Sequence, residues 1–283
     1  MRRRTIAATP LAVAAGLLRP VAARAANREL LAWYYLQFTG DYSADLDRSL
    51  GARIDALIFS ETGDPNLLPY LDAAVQHGQR ICLGLEPSMY EGASHMAARL
   101  NEMRALTGHP GYYWTTTTPD GLARPMLVTF ATSAYPALFW QTVRGQVDPN
   151  HEMVWVGEGT TFDSASFFDA WHLYSIAWAN DPVGTARTWA QRIRERGLRY
   201  AATVMPGGFF GSGSDPSQWT PRDRAGGAFY GATWAGARAA NADLAILTSY
   251  NERREQTDIQ PLPEWGDTYL NLTASFSGEW RGL

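Results

Sequence analysis

"LAILTSYNERRE", residues 244–255, joins an apolar run to two closely spaced carboxylates. The run from Leu244 to Leu247 does not alternate polar and apolar residues, which is typical of a strand buried on both faces of a parallel sheet. We therefore predict a strand over 244–250. The chain then becomes polar, and Glu252 and Glu255 follow three residues apart. The stretch thus predicts a parallel strand with a candidate site at its carboxyl end.

Seven further runs of the same kind precede this one. They are rich in β-branched and aromatic residues and lie at 30–35, 54–60, 80–86, 125–131, 153–158, 168–174 and 199–205. Helix-compatible stretches separate the runs, with helix signals at 66–78, 93–106, 182–197 and 226–241. No linker or repeat divides the chain of 283 residues. Eight strands alternating with helices predict a single (β/α)8 TIM barrel over residues 26–283.

Carboxylates and tyrosines follow the predicted strands at their carboxyl ends. In a (β/α)8 barrel these ends form the active-site face. Carboxylates follow the second, third, fifth and eighth predicted strands, and tyrosines end the first and the sixth. These predicted rim residues are Glu61, Glu86, Glu158, Glu252, Glu255, Tyr34, Tyr35 and Tyr174. Carboxyl groups for proton transfer and for an oxocarbenium-like transition state, with aromatic faces for sugar rings, are typical of a glycoside hydrolase.

The residues alone leave two interpretations of Glu252 and Glu255 open: a general acid and base, or a solvated charged loop. A spacing of three places both carboxyl groups on one side of a helical turn. Two neighbouring carboxylates push their pKa values apart, so that one can stay protonated while the other is ionised. An acid and a base would then be available together near neutral pH.

Composition and spacing argue against several other classes of function. The net charge is −4, every basic side chain is an arginine, and no basic stripe occurs, so we expect no nucleic-acid partner. The single cysteine, Cys82, lies in an apolar run, and we interpret it as a buried hydrophobic residue. We predict no metal and no cofactor, because the five histidines are not spaced like metal ligands. These histidines are His77, His95, His109, His151 and His172.

The sequence resembles glycoside hydrolase family 99, the endo-α-mannosidases, and related bacterial polysaccharide proteins. "TSYNERREQTDIQP" (248–261) resembles the family segment "TS-[FW]-NEWHEGTQIEP". Further similar segments, in the same order as in the family, are "WYYLQF" (33–38), "LGLEPSMYEG" (83–92), "VMPGGFF" (204–210), "RDRAGGAFYGATWAGA" (222–237) and "DTYLNLT" (267–273). The resemblance therefore covers residues 33 to 273.

This resemblance implies a (β/α)8 barrel, no metal, and hydrolysis of α-mannoside-like linkages in a polysaccharide with retention of configuration. It implies that Glu252 acts as a base on the sugar's own 2-hydroxyl, whose oxygen attacks the anomeric carbon and gives a 1,2-anhydro sugar. Glu255 would protonate the leaving oxygen and later activate water. The residues predicted to bind the polysaccharide or oligosaccharide substrate are Glu86, Tyr35, Asn251, Tyr230, Glu158 and Arg254.

The sequence departs from the family around these acids. The Trp-His pair is Arg253-Arg254, the Glu before Pro261 is Gln260, and the third-strand histidine position holds Gly84. The two arginines could bind an anionic glycan in bidentate fashion, or they could pair with neighbouring acids as scaffold. Two alternatives to the endo-α-mannosidase therefore stay open: a hydrolase of another, anionic α-glycan, and a non-catalytic glycan-binding or polysaccharide-assembly protein. We expect a monomer in each case.

The first 25 residues are typical of a bacterial export signal. Three arginines precede an apolar segment, and Ala23-Arg24-Ala25 fits an A-x-A cleavage site. Paired arginines before an apolar run also occur in signals of the twin-arginine route. The apolar segment is too short to span a membrane stably, so we expect an exported, periplasmic or extracellular protein without stable membrane insertion.

We predict that residues 1 to about 25 are removed on export, because they carry this cleavage site. Amino-terminal sequencing of the exported protein should therefore begin near Ala26. A secreted protein that begins at Met1 would contradict the prediction.

Overall fold

The computed structural model describes residues 28–60, 66–211 and 218–283. The predicted export signal and Glu61 lie outside the described residues. The strands are β1 Glu29–Tyr34, β2 Ala56–Ser60, β3 Ile81–Leu85, β4 Trp114–Thr115, β5 Arg124–Thr129, β6 Val154–Glu158, β7 Ala170–His172, β8 Arg199–Val204, β9 Gly208–Phe210, β10 Thr220–Arg222 and β11 Leu244–Leu247.

Eight of these strands close a parallel barrel. Their spatial order is β3–β2–β1–β11–β8–β7–β6–β5, and β5 pairs back to β3. Leu31 lies opposite Ile246 where β1 meets β11, and Leu83 lies opposite Leu127 where β3 meets β5. All eight predicted strands are present, and the predicted (β/α)8 TIM barrel is confirmed. Because every pairing is parallel, all the carboxyl ends form one rim.

Among the residues that the structure describes, seven α-helices surround the barrel: α1 Tyr42–Gly51, α2 Leu68–His77, α3 Ala93–Arg104, α4 Ala137–Val147, α5 Pro182–Arg194, α6 Ala228–Ala239 and α7 Thr268–Arg281. The four helices predicted from sequence correspond to α2, α3, α5 and α6. Asp181 caps α5, because its side chain accepts from the Gly184 N–H at 3.0 Å, and Pro182 follows as the first helical residue. No helix in the described ranges is long and apolar enough to cross a membrane.

In the described ranges, two short antiparallel pairings lie outside the parallel barrel. β4 pairs with Arg124 and Pro125, the first two residues of β5. β9 and β10 form an antiparallel hairpin after β8, and the Phe209 N–H donates to the Glu255 carbonyl at 2.8 Å. The hairpin therefore lies against the acid-bearing segment that follows β11.

Alternate residues of the barrel strands build two apolar layers. Residues such as Leu30 and Leu57 pack towards the helices, whereas Leu31, Trp33 and Ile58 belong to a second cluster that fills the barrel interior. Cys82 belongs to the interior cluster and is fully buried, and burial raises the pKa of its thiol well above the usual range. The interpretation of Cys82 as a buried hydrophobic residue is thus confirmed.

Gly84 makes room for the largest side chain of the interior. A Cβ on this residue would lie 2.6 Å from Cζ3 of Trp33 and 2.8 Å from Cγ2 of Ile58. The space that a side chain would need at this position of β3 is therefore occupied by the Trp33 indole.

We predict that Gly84→Ala destabilises the fold by about 1–3 kcal/mol, because an added methyl group overpacks the barrel interior. Gly145→Ala in α4 is the matched control. A Cβ there meets no atom within 4 Å, and alanine should raise helix stability by up to about 1 kcal/mol. Urea unfolding of both variants measures the contrast, and an unchanged midpoint for Gly84→Ala would contradict the packing argument.

Candidate active site

The two closely spaced glutamates lie on a turn whose ends are joined by hydrogen bonds. After β11, the Ser249 N–H donates to the Thr257 carbonyl at 2.9 Å, and the hydroxyl groups of Ser249 and Thr257 lie 2.9 Å apart. The Ser249 hydroxyl also accepts from the Glu252 N–H at 2.8 Å. Small hydroxyl side chains thus fix the turn that carries Glu252 and Glu255, which excludes the interpretation of a fully solvated loop.

Glu252 is buried, with 6% of its surface exposed. One carboxylate oxygen accepts from the Arg254 N–H at 2.9 Å. Burial raises the pKa of Glu252, while the backbone N–H groups of Arg254 and Glu255 and the charge of Arg254 act in the opposite direction. The N–H donors stabilise the ionised form, so this carboxylate can serve as a base.

Glu255 is half-buried and has a different environment. Burial raises its pKa to about 7, and the negative charge of Glu252 contributes in the same direction. A hydrogen bond from Tyr174 and the charge of Arg254 lower this pKa only in part. Glu255 can therefore hold a proton near neutral pH, whereas the backbone N–H donors at Glu252 favour the ionised form of that carboxyl group. This is the division of roles that an acid and a base need.

Two tyrosines continue the hydrogen-bond chain from Glu255. The hydroxyl groups of Tyr35 and Tyr174 lie 2.7 Å apart, at the ends of β1 and β7. Burial raises the pKa of each phenol well above its ordinary value, and the charge of Glu255 raises both further. Both phenols therefore keep their protons and act as hydrogen-bond donors. The structure thus brings Tyr35 and Tyr174, both predicted at the rim of the barrel, to the acid.

Asn251 contacts the backbone instead of a ligand. Its Oδ1 accepts from the Tyr35 N–H at 2.8 Å, and its Nδ2 donates to the Tyr35 carbonyl at 3.0 Å. The side chain is fully buried. The prediction that Asn251 binds the sugar directly is corrected accordingly: this residue holds Tyr35 against the acid-bearing turn.

Glu158 ends β6 and lies at the same rim. Its two carboxylate oxygens accept from the Ala131 N–H at 2.8 Å and from the Tyr174 N–H at 3.1 Å. Burial raises the pKa of Glu158 to about 7, against the effect of these two donors. A third titratable carboxyl group therefore lies in the candidate site, where the sequence predicted it.

A cavity of about 550 Å³ opens beside Glu255. Trp178 lies at its wall with 41% of its surface exposed, and the indole N–H donates to the Ser175 carbonyl at 3.0 Å. Such an exposed, fixed aromatic face is suited to stacking on a sugar ring. The lining residues are Phe130, Glu158, Tyr174, Ser175, Trp178, Phe209, Phe210, Gly211, Trp219 and Glu255. Sequence reasoning missed Trp178 and Trp219, which lie outside any strand or helix motif.

Glu86 and Arg254 also lie near the acids. Glu86 follows β3 at the same rim, accepts from the Ser88 hydroxyl at 3.2 Å, and through its charge raises the pKa of Tyr35. The exposed Arg254 lowers the pKa of Glu252 and of Glu255 through its charge. The structure therefore groups the predicted residues Glu86, Arg254, Glu158 and Tyr35 around the two acids.

Tyr230 is not part of this group. It lies on α6, fully buried, and its hydroxyl group lies 2.8 Å from the Thr273 hydroxyl on α7. Its ring also packs edge-on against Phe276 of the same helix. The prediction that Tyr230 contacts a substrate is therefore corrected: this tyrosine joins two outer helices.

A second cavity of about 470 Å³ lies on the other side of the hairpin. Phe209 lines both cavities, whereas Gln256 and Trp265 line only the second. Arg224 supports the turn from this side, because its Nη2 donates to the carbonyls of Gln256 at 2.9 Å and Asp258 at 2.7 Å. Within the described ranges, no cluster of three or more His, Cys, Asp or Glu side chains could hold a metal ion.

The fold is similar to that of glycosidases of known structure. No protein-family model and no curated protein matches the sequence. The glycoside hydrolase family 99 endo-α-mannosidase from Bacteroides thetaiotaomicron superposes with a TM-score of 0.73 at 16% identity, over 90% of this chain and 98% of that chain. Its structure with bis-tris-propane gives a TM-score of 0.72 at 17% identity, over 90% and 97%.

A maltogenic α-amylase from Thermotoga neapolitana is a more distant neighbour. Its TM-score is 0.53 at 10% identity, and the match covers 90% of this chain and 77% of that chain. The higher score and the near-complete coverage of the mannosidase agree with the resemblance found in the sequence. This chain has the (β/α)8 fold of that endo-α-mannosidase.

We predict that Glu252→Gln lowers the pKa of Glu255 below about 7, because the charge that disfavours ionisation of Glu255 is removed. Titration of the glutamate carboxyl groups by ¹³C NMR measures the shift. Glu195→Gln, at the C-cap of α5 and at the opposite end of the barrel, is the control and should leave this titration unchanged. An unaltered pKa in Glu252→Gln would mean that Glu252 is uncharged in the wild-type protein.

Proposed function

We propose that the protein is an exported, retaining endo-glycosidase that hydrolyses α-mannoside-like linkages in a polysaccharide. One observation carries the proposal: two adjacent carboxyl groups lie on one turn, with Glu252 accepting from the Arg254 N–H and Glu255 hydrogen-bonded by Tyr174 at the wall of an aromatic cavity. The resemblance to endo-α-mannosidases and the shared fold support the sugar configuration.

The proposed first step uses the sugar's own 2-hydroxyl group. Glu252 takes the proton of that hydroxyl as the 2-oxygen attacks the anomeric carbon. Glu255 gives its proton to the glycosidic oxygen, and the bond between this oxygen and the anomeric carbon breaks. The step leaves a 1,2-anhydro sugar, a protonated Glu252 and an ionised Glu255.

In the second step the charges return to their starting state. Glu255 takes a proton from a water molecule, whose oxygen attacks the anomeric carbon and opens the anhydro ring. Glu252 returns its proton to the 2-oxygen. Each step inverts the anomeric carbon, so that the configuration is retained overall. Neither carboxylate forms a bond to the sugar, which is consistent with the hydrogen-bonded position of Glu252 within the turn.

The surroundings of Glu255 support its role as the acid and base. After it donates its proton, the Tyr174 hydroxyl can stabilise the carboxylate, and Tyr35 supports Tyr174 in turn. Charge-assisted hydrogen bonds of this kind are stronger than neutral ones. The cavity is lined by Glu255 and not by Glu252. We therefore assign the cavity to the leaving-group side of the bond, with Trp178 as the surface on which a sugar ring stacks.

A hydrolase of an anionic α-glycan is the second candidate function. Arg254 is an exposed residue whose charge acts on both acids, and arginine recognises carboxylate and phosphate groups well. Arg253 fits the scaffold interpretation instead, because its Nη2 donates to Oε1 of Gln260 at 3.2 Å. Parallel assays with neutral and anionic α-linked oligosaccharides separate the two substrate classes.

We expect Glu255→Gln to lose activity on α-mannan by about 10²- to 10⁴-fold, because natural leaving groups need a proton. The loss should be much smaller for bond cleavage in a dinitrophenyl α-mannoside, whose leaving group departs unprotonated. Glu252→Gln should be impaired with both substrates, and a 2-deoxy substrate should resist the wild-type enzyme. Released oligosaccharides and dinitrophenol are the two measured products.

Three outcomes would contradict the proposal. Normal cleavage of the 2-deoxy substrate would exclude participation of the 2-oxygen. Equal losses of Glu255→Gln on both leaving groups would exclude Glu255 as the acid. A wild-type protein that binds α-glycans without releasing any product would be a non-catalytic glycan-binding protein on this fold.

A further inference from the structure

The two side-chain oxygens of Glu158 each accept a hydrogen bond from a backbone N–H group. We propose that Glu158 is a positioning residue that holds Tyr174 in place to hydrogen-bond Glu255. This inference rests on the proposed role of Glu255 as acid and base. It differs from the prediction that Glu158 binds sugar, because Glu158 would act through Tyr174.

The Glu158 carboxylate ties together three neighbouring strand ends. Its Oε2 accepts from the Ala131 N–H at 2.8 Å, after β5, and its Oε1 accepts from the Tyr174 N–H at 3.1 Å, after β7. The Glu158 N–H itself donates to the Thr132 hydroxyl at 2.9 Å. Ala131 has a φ of +48°, a conformation that alanine rarely adopts. The bond to Glu158 stabilises the backbone at this unusual residue.

Tyr174 is held at both of its backbone groups. Its N–H donates to Glu158, and its carbonyl accepts from the Thr248 hydroxyl at 2.7 Å. Thr248 follows β11, the strand that leads to the acid-bearing turn. The backbone of Tyr174 therefore spans from Glu158 to Thr248, which leads into the turn that carries Glu255. These two bonds fix the backbone from which the Tyr174 phenol extends.

The phenol connects this arrangement to the acid. Its hydroxyl group lies 2.7 Å from the Tyr35 hydroxyl and hydrogen-bonds Glu255. The hydrogen bond lowers the pKa of Glu255 and favours its ionised form. If Tyr174 shifts, Glu255 loses a donor that stabilises the carboxylate formed when the leaving oxygen takes the proton. The first step of the reaction would then be slower for every substrate that needs this proton.

A carboxylate suits this position better than an amide of the same shape. Two N–H donors converge on the two oxygens of Glu158, and a carboxylate has only acceptors. In Glu158→Gln, the amide NH₂ would face either the Ala131 N–H or the Tyr174 N–H, donor against donor. At least one of the two backbone bonds must then be lost, although the side-chain volume is unchanged.

The test compares Glu158→Gln with the wild-type enzyme on α-mannan oligosaccharides and on a dinitrophenyl α-mannoside. We expect kcat on the oligosaccharides to fall by about 10- to 100-fold, since small misplacements of catalytic groups cost rates of this order. On the dinitrophenyl substrate, bond cleavage should stay within about 3-fold of wild type. KM for the oligosaccharides should be unchanged, because Glu158 acts through Tyr174.

Asp148→Asn is the matched control. Asp148 is a buried carboxylate that accepts from the N–H groups of Glu152 at 2.7 Å and Met153 at 3.3 Å, before the amino end of β6. Its replacement by an amide removes at least one of these two backbone bonds, and it also weakens the ion pair of Asp148 with Arg144, at the far end of the barrel. We expect a lower unfolding temperature for Asp148→Asn, with no change in the ratio of rates on the two substrates.

Tyr174→Phe provides a second variant that keeps the tyrosine ring. If Glu158 acts through the Tyr174 hydroxyl, Glu158→Gln should have little further effect on leaving-group dependence in this background. If the rate losses of Glu158→Gln and Tyr174→Phe multiply in the double variant, the inference is overturned. A raised KM with unchanged kcat in Glu158→Gln would also overturn it, because that result indicates a direct sugar contact. Equal losses on both substrates would also overturn it. A wild-type enzyme that cleaves neither substrate would instead refute the proposed function.

Discussion

The repulsion between two carboxylates in a partly dehydrated turn is the constraint on which the site depends. Burial alone would push both Glu252 and Glu255 towards the protonated form, and their mutual repulsion opposes double ionisation. Backbone N–H groups at Glu252 and a phenol at Glu255 make the two environments unequal. Such a turn must be held firmly, because a looser one would let water screen the charges and bring both pKa values back towards the usual range.

A polar network behind the turn supplies this rigidity. Asp45 on α1 is fully buried and accepts from the hydroxyl groups of Tyr34 and Tyr250 at 3.0 Å and from Nε2 of Gln260. Gln260 in turn accepts from Arg253. Two of the departures from the family pattern, Arg253 and Gln260, thus contact each other. Together they connect the outer end of the turn to α1, so these substitutions are explained as one scaffold.

The strands were predictable because burial on both faces leaves a continuous apolar run, and all eight follow that rule. Helices α1, α4 and α7 were not predicted, although the Asp41 side chain caps α1. Glu158, Glu252 and Glu255 were predictable because charge directly after a buried strand is unusual. The predictions that Asn251 and Tyr230 bind the substrate were wrong for a common reason. Sequence does not reveal whether a polar group faces a ligand or a neighbouring segment. The positions of Trp178 and Trp219 depend on loop geometry, which has no periodicity.

Cys82 gives the fold a property unrelated to sugars. The thiol is sealed inside the barrel, and its raised pKa disfavours the thiolate that reacts with alkylating reagents. It is the only cysteine in the chain. Alkylation can therefore occur only in molecules whose barrel has opened, so the labelling rate under native conditions reports the free energy of that opening. The natural sequence thus contains its own single-site reporter of barrel integrity.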